Sequence, residues 1–475
     1  MTPELIPSLS PNSCIVGGEG WGEGDTPRIS ATSINCVALP PHPTLSPRRA
    51  WGRGPKCAAL KFLLLSAVLL ITIAERCDAQ TAPSAPSPTE QPGANLEVAL
   101  ITFGPGEEIW ERFGHNAIEI RDRSSGQAHW YNYGIFDFAQ QNFFLNFARG
   151  LMTYRIAQGY PSEELPVYVE EGRWVIEQQL NLTPPQRMQL AEFLAWNARP
   201  DNAQYRYDYF TANCSTRVRD ALDAAVGGAI KAQTIAPSRG FTFRMDADRL
   251  MRPDPAVMLA MDAGLGPYAD RRLSFWDESF VPMEFMRHMR EIHVPDETGK
   301  LRPLVARETQ LAAARLADPP AFPPDWTWRA LAVGCMSGLL LLGLAYLRAR
   351  AWARLPLALV SGAVALTLGI GGLVLLGLWT LTDHVSAWRN ENLLLFNPLC
   401  LLLLPCWLGA LRARWRPSRF AWRVAMAIAF CAALAFFVKI FPAFAQDNRF
   451  WIALLLPLHV AFALILTRVR SRTLA

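Results

Sequence analysis

Apolar and polar positions change rhythm along the chain, and the changes divide it. Beyond residue 329 the apolar positions form almost unbroken runs, at about 330–347, 355–381, 393–411, 421–441 and 450–467. A helix needs ~20 such residues to cross a hydrocarbon core of ~30 Å, so these runs predict an all-α domain of about five transmembrane helices over 329–475. Between 96 and 328 the pattern is that of a globular domain. Val98 to Phe103 reads as a buried strand ended by Gly104-Pro105-Gly106, and Glu107 to Phe113 as a short helix or turn. His115 to Arg121 alternates as a strand, Ser124-Ser125-Gly126 turns the chain, and Trp130 to Phe136 returns. A strand is expected around Thr153 to Gln158, a helix over Glu163 to Glu177, and a further helix opening at Thr183-Pro-Pro-Gln186 with a capping-box pattern. Strands and helices mixed in this way predict an α+β class.

The start of the chain is different again. Residues 1–55 are rich in Gly, Pro and Ser with no periodicity that would bury a core, so they read as a disordered leader or a start-site artefact. Arg53, Lys56 and Lys61 then precede the apolar run Phe62 to Ala74, too short to span and matched to the central region of a signal peptide over 56–79. Cys77-Asp78-Ala79 offers a small-x-small cleavage site, and 80–95 reads as a Pro/Ser linker.

Charge sharpens this division. The net charge of +5 conceals −8 over 80–328, from 24 basic and 32 acidic residues, and +12 over 329–475, from 15 basic and 3 acidic ones. The negative exported domain points to no nucleic-acid partner. Within the membrane domain, Arg348, Arg350 and Arg354, then Arg412, Arg414, Arg416, Arg419 and Arg423, then Arg468, Arg470 and Arg472 occupy one set of loops. The opposite loops hold Arg389, Lys439 and Arg449 against Asp383, Glu391 and Asp447. The positive-inside rule therefore puts the C-terminus on the cytoplasmic side of the membrane, and five crossings place residues 80–328 outside.

Of the nine cysteines, residues 14, 36, 57 and 77 precede the cleavage site and 335, 400, 406 and 431 lie in or near the spans. Only Cys214 remains in the exported domain. A free Cys is commonly a small buried hydrophobe. Here, however, Asn213 is a good N-cap and Val218, Ala221, Leu222 and Ala225 form an apolar helical stripe, which places Cys214 in a first helical turn. Unpaired N–H groups and the helix dipole there lower a thiol pKa, and the same groups can hold an oxyanion. A thiolate needs a base, and His115, at the start of an alternating strand, is the candidate; His288 and His293 lie in a charged stretch and read as surface residues.

Gly114-His115 on a strand, followed by Asn213-Cys214 opening a helix, resembles the circularly permuted papain-like superfamily that includes NlpC-related hydrolases. The ordered set FGHNAIEI, YNYGIFDF and YFTANCSTRVRD, followed by a polytopic tail carrying H-x5-N-x-NLL-x2-NPL, resembles the bacterial Lnb family of lipoprotein N-acyltransferases from about residue 96 to 470. The resemblance implies a permuted papain-like domain. It further implies transfer of a phospholipid acyl chain, through a thioester on Cys214, to the N-terminal amine of a lipidated lipoprotein, with neither cofactor nor metal. In such chemistry His115 moves the protons and a polar third residue orients it: Asn132 on the neighbouring strand, or Asp137 if the hairpin centres near Gly126. The Cys214 amide would receive the oxyanion, helped by Tyr209 or Asn213.

Two other readings stay open: a thiol peptidase or amidase acting on cell-wall peptides, and a membrane-anchored binding module with an incidental thiol. The loop 382–398 also has two readings. Its His384, Asn390, Asn392 and Asn397 either cap helix ends or form a polar platform for a lipid headgroup at the outer leaflet. Trp276 and Phe280, near Phe275, line an acyl slot or complete a core.

Overall fold

The computed structural model describes residues 91–471. The leader, the signal peptide and the linker as far as residue 90 lie outside the described residues. Six strands, β1 (Leu96–Phe103), β2 (His115–Asp122), β3 (Ala128–Ile135), β4 (Thr153–Gly159), β5 (Val175–Leu180) and β6 (Gln204–Arg206), join the strand Val305–Ala312 in one antiparallel sheet. The spatial order is Val305–Ala312, β5, β1, β2, β3, β4, β6.

Alternation along the strands gives the sheet two apolar faces. Val98, Leu100, Ile118, Ile120, Tyr131 and Tyr133 pack with residues of the two helices Pro184–Asn197 and Cys214–Ala225. Ala99, Ile101, Phe103, Ala117, Trp130 and Val175 face the other way, against Leu165 and Tyr168 of the helix Pro161–Glu170. In chain order these helices, with the short Phe143–Arg149 helix before them, are α1 (Phe143–Arg149), α2 (Pro161–Glu170), α3 (Pro184–Asn197) and α4 (Cys214–Ala225). The capping box foreseen at Thr183 and Gln186 opens α3.

One helix expectation is corrected. The chain leaves α2 at Glu171, turns at Gly172 with φ +75°, and re-enters the sheet as β5 from Val175. Val175 and Leu180 belong to the core rather than to one stripe of a continuing helix. His288, read as a surface residue, is buried in the helix Pro282–Met289 with Nε2 3.1 Å from Glu278.

Among the described residues, five helical segments are long and apolar enough to cross a membrane: Thr327–Ala349, Ala351–Leu381, Glu391–Gly409, Arg419–Ile440 and Arg449–Ser471. The third departs from a regular helix. It consists of 3₁₀ turns at Glu391–Leu394 and Pro398–Leu403 before a short α-helix, Leu404–Gly409, because Pro398 and Pro405 supply no N–H. The outer domain is fastened to this bundle: Leu259 and Ala263 of the helix Pro255–Gly264 pack against the membrane core.

Candidate functional site

Asn213 organises the start of α4. Its side-chain oxygen accepts from the Thr216 amide at 2.9 Å, and the Asn213 amide donates to the Thr216 hydroxyl at 2.8 Å. Asn213 Nδ2 donates to the carbonyls of Tyr209 (3.0 Å) and Phe280 (2.8 Å). With both side-chain amide hydrogens engaged, Asn213 fixes the loop and the helix start. The first turn is also pinned to β2, since Ser215 Oγ lies 2.8 Å from Asn116 Oδ1 and 2.6 Å from the Ser279 carbonyl oxygen.

This docking brings Cys214 to the end of β2 where His115 begins. The main-chain amides of Asn116, Ser215 and Cys214 lie near the Cys214 sulfur and favour its charged form. Gly134, at φ +92°, adjoins it from β3: a Cβ there would lie 3.3 Å from the Cys214 Cβ, so the missing side chain leaves room for the thiol. Cys214 and His115 both keep part of their surface open to solvent, although protein atoms crowd them closely.

That crowding decides the protonation states. Burial pushes the Cys214 thiol up to about 11, against the amides of Asn116, Ser215 and Cys214 and the positive Arg173, which pull it down. Burial lowers His115 to about 4; its bond to Asn132 opposes the shift and Arg173 adds to it. The thiolate expected from the helix N-terminus is therefore corrected, because desolvation outweighs the helix-end amides. Burial thus favours the neutral thiol at Cys214 and the neutral imidazole at His115.

Asn132 holds that imidazole. Its Oδ1 lies 3.0 Å from His115 Nε2, while its Nδ2 donates to Glu164 Oε1 and Oε2 at 3.2 and 3.0 Å. An amide whose NH₂ faces a carboxylate must turn its oxygen to the ring, so Nε2 carries the proton and Nδ1 is the free base. Register explains why Asn132 rather than Asp137 fills this place. Ala117 pairs with Asn132, which puts position 134 opposite 115. Asp137 is exposed beyond the strand and caps the Ala139 amide at 2.7 Å.

Two residues that sequence reasoning missed complete the surroundings. Glu164, in the first turn of α2, is buried, and burial raises it to about 7. Gly159 makes space for it, because a Cβ there would lie 1.6 Å from Glu164 Oε1. Arg173 is also buried, with Nε donating to the Gly104 carbonyl at 2.8 Å and its guanidinium over the Tyr168 ring. No local signal marked either one: acidic residues are ordinary in a first helical turn, and Arg173 acts across the sheet.

Residues 90–245 match the family model of the Lnb N-terminal periplasmic domain, and residues 332–472 match that of the Lnb transmembrane domain. The chain belongs to the Lnb family. No curated protein and no solved structure matches it. It is thus a membrane protein of α+β class with a periplasmic domain and a helical transmembrane tail.

In this Lnb chain the loop 382–398 divides into two parts. Asn390 and Asn392 are buried, and their amides donate to Ala263, Gly264 and Leu265 carbonyls at the end of the helix Pro255–Gly264. Asn397 caps the Leu399 amide. These three follow the helix-capping reading, not the headgroup platform. His384 is placed otherwise. Its ring stacks on Tyr209, centroids 5.9 Å apart, with Nδ1 3.4 Å from the Tyr209 hydroxyl and Nε2 2.9 Å from the Phe147 carbonyl oxygen. Tyr209, proposed from sequence as an oxyanion helper, is therefore engaged with the membrane loop.

The aromatic pair considered for an acyl slot is packed instead. Phe280 is buried in the core, and Trp276 lies under the Arg219 guanidinium. Glu278, Glu284 and His288 bring ligand-type atoms within 4.8 Å of one another. Arg239 already reaches Glu278 and Glu284 at 2.7 and 3.0 Å, and Arg249 reaches Glu284 at 3.2 Å. Guanidinium groups therefore neutralise these carboxylates, and the cluster is a buried ion network.

Proposed function

We propose that this Lnb-family protein is a thiol-dependent lipoprotein N-acyltransferase, with Cys214 as nucleophile, His115 as general base and acid, and Asn132 as the residue that orients His115. The observation that carries the reading is the Cys214 sulfur beside the Asn116 and Ser215 amides, at the His115 end of a His115–Asn132–Glu164 chain. That chain sits in a domain fastened to the outer end of a five-helix membrane tail, the arrangement of a permuted papain-like site brought to a bilayer.

In the first half-reaction the sulfur attacks an ester carbonyl of an outer-leaflet phospholipid. His115 Nδ1 takes the thiol proton as the S–C bond forms, and returns it to the leaving alcohol as the C–O bond breaks. Lysophospholipid leaves and Cys214 holds a thioester. In the second half, the N-terminal amine of a diacylated lipoprotein attacks the thioester carbonyl, His115 removes a proton from the nitrogen, and the sulfur leaves and is reprotonated. The Cys214 main-chain amide, aided by that of Ser215, is the proposed donor to the oxyanion of each tetrahedral intermediate. Held neutral by burial, His115 keeps a lone pair free at neutral pH, and proton transfer accompanies attack because neither group is charged beforehand.

The bilayer presents both substrates to such an enzyme, which is the use this reading gives to the five spans. The clustered arginines from Arg348 to Arg354 and from Arg412 to Arg423 orient it with the C-terminus in the cytoplasm. The test incubates membranes containing the full chain with a diacylated lipoprotein and measures a third acyl chain by mass spectrometry. Wild type adds it, whereas Cys214→Ser and His115→Ala do not. Unchanged N-acylation by both variants would overturn the reading.

A further inference from the structure

Helix α1 buries none of its side chains. Phe138, Phe144, Leu145 and Phe147 are 51, 73, 55 and 42% exposed. They belong to one surface, because Phe136 meets Phe138 at 5.0 Å and Phe143 at 6.0 Å, Phe138 meets Phe143 at 5.1 Å, and Phe143 meets Phe147 at 6.4 Å between ring centroids. Isolated exposed aromatics are common on a water-soluble surface; a contiguous patch of this kind marks a binding face.

What covers the patch follows from where it is held. The Asp383 amide donates to the Arg149 carbonyl at 2.8 Å, Arg206 pairs with Asp383 at 2.9 Å, and the Phe147 ring lies 6.3 Å from that of His384. These contacts fasten α1 two residues past the end of the second span. That span stays apolar to its last residue, with Trp379 and Leu381 42 and 79% exposed. The hydrocarbon boundary of the outer leaflet therefore runs beside α1. Exposed Arg149 and Arg155 border the patch, which suits lipid phosphates just above the acyl chains.

We infer that the Phe136–Phe147 surface inserts into the outer leaflet and takes phospholipid acyl chains as its ligand. From there a line of rings leads inward: Phe136 lies 5.1 Å from Tyr154, which stacks on Tyr207 at 4.2 Å. Tyr207 in turn lies near Cys214. This line of rings joins the aromatic foot to the neighbourhood of the thiol. Insertion stands on exposure and position, and holds whether or not Cys214 carries an acyl group.

The test places the photo-crosslinker benzoylphenylalanine in the full chain, reconstituted in phosphatidylethanolamine and phosphatidylglycerol vesicles, at Phe144 or Phe138. Ser125 is the control; it is exposed at the far end of β3, whose eight residues span about 25 Å. Irradiation should give phospholipid adducts at 144 and 138 and lose them at 125, equally in a Cys214→Ser background. Adducts to protein alone, or equal lipid yields at 144, 138 and 125, would overturn the inference. Neither result depends on acyl transfer, so failure here is separable from failure of the enzymatic reading.

Discussion

Asn132 Nδ2 lies 3.0 Å from Glu164 Oε2, joining residues 32 positions apart through a buried hydrogen bond. The bond fixes which end of the amide faces His115, and so which imidazole nitrogen is free. In the proposed mechanism Glu164 acts through Asn132, as a positioning residue.

Glu164→Ala should lower kcat about tenfold to a hundredfold with KM little changed, since the amide then turns freely and His115 loses its fixed tautomer. Glu164→Gln should separate position from charge. Wild-type activity should rise with pH through about 7 as Glu164 ionises, and the glutamine variant should lack that limb. Stability should move the other way. The folded-state pKa is raised, so the favourable contribution of protonated Glu164 is full below its unfolded value near 4.5 and is lost as pH rises through about 7. Thermal unfolding at pH 8 should therefore favour Glu164→Gln by about 3 kcal/mol, and the difference should vanish near pH 4. Parallel pH profiles for the two proteins would refute the role.

Alkylation of Cys214 should report a neutral thiol. With the thiol near 11 and His115 near 4, the iodoacetamide rate measured on the Cys214 peptide should climb about tenfold per pH unit from pH 6 to 9. A rate already at plateau below pH 7 would show a preformed thiolate–imidazolium pair instead.

The sequence was legible where the signal was local. Alternation with a bounded turn placed β2 and β3, and Asn213 ahead of an apolar stripe placed α4 and Cys214 at its first residue. It failed where distant atoms decide. The helix-end argument for a thiolate counts neighbours in the chain, whereas the sheet and its tyrosines desolvate the sulfur. A turn position off by a few residues shifted the partner of His115 from Gly134 to Asp137. The stretch 230–328, mute in sequence, supplies the Phe280 and Ser279 carbonyls that hold Asn213 and Ser215.

His384 joins the membrane loop to the periplasmic domain, so His384→Ala should loosen that joint without disturbing the thiol. Acylation of Cys214 by vesicle phospholipid should fall several-fold, while acylation by a short soluble thioester stays unchanged. Arg206→Ala should do less, because its exposed pair with Asp383 is worth only ~0–1 kcal/mol. Equal losses with both acyl donors would place His384 in the chemistry rather than in lipid delivery.

Asn390 separates the two readings of the outer loop. Its Nδ2 serves carbonyls at the end of the helix Pro255–Gly264, and its Oδ1 accepts from Gln446 at 3.1 Å and from the Asn392 amide at 2.9 Å. Asn390→Ala strips partners from several buried groups at once, which should cost about 2–4 kcal/mol. The loss should appear as a lower unfolding temperature in detergent, in the presence or absence of phospholipid. A headgroup ligand would behave differently, leaving stability intact and raising the lipid concentration needed for half-maximal acylation. An Asn390→Ala protein of wild-type stability with that second signature would return the loop to the substrate.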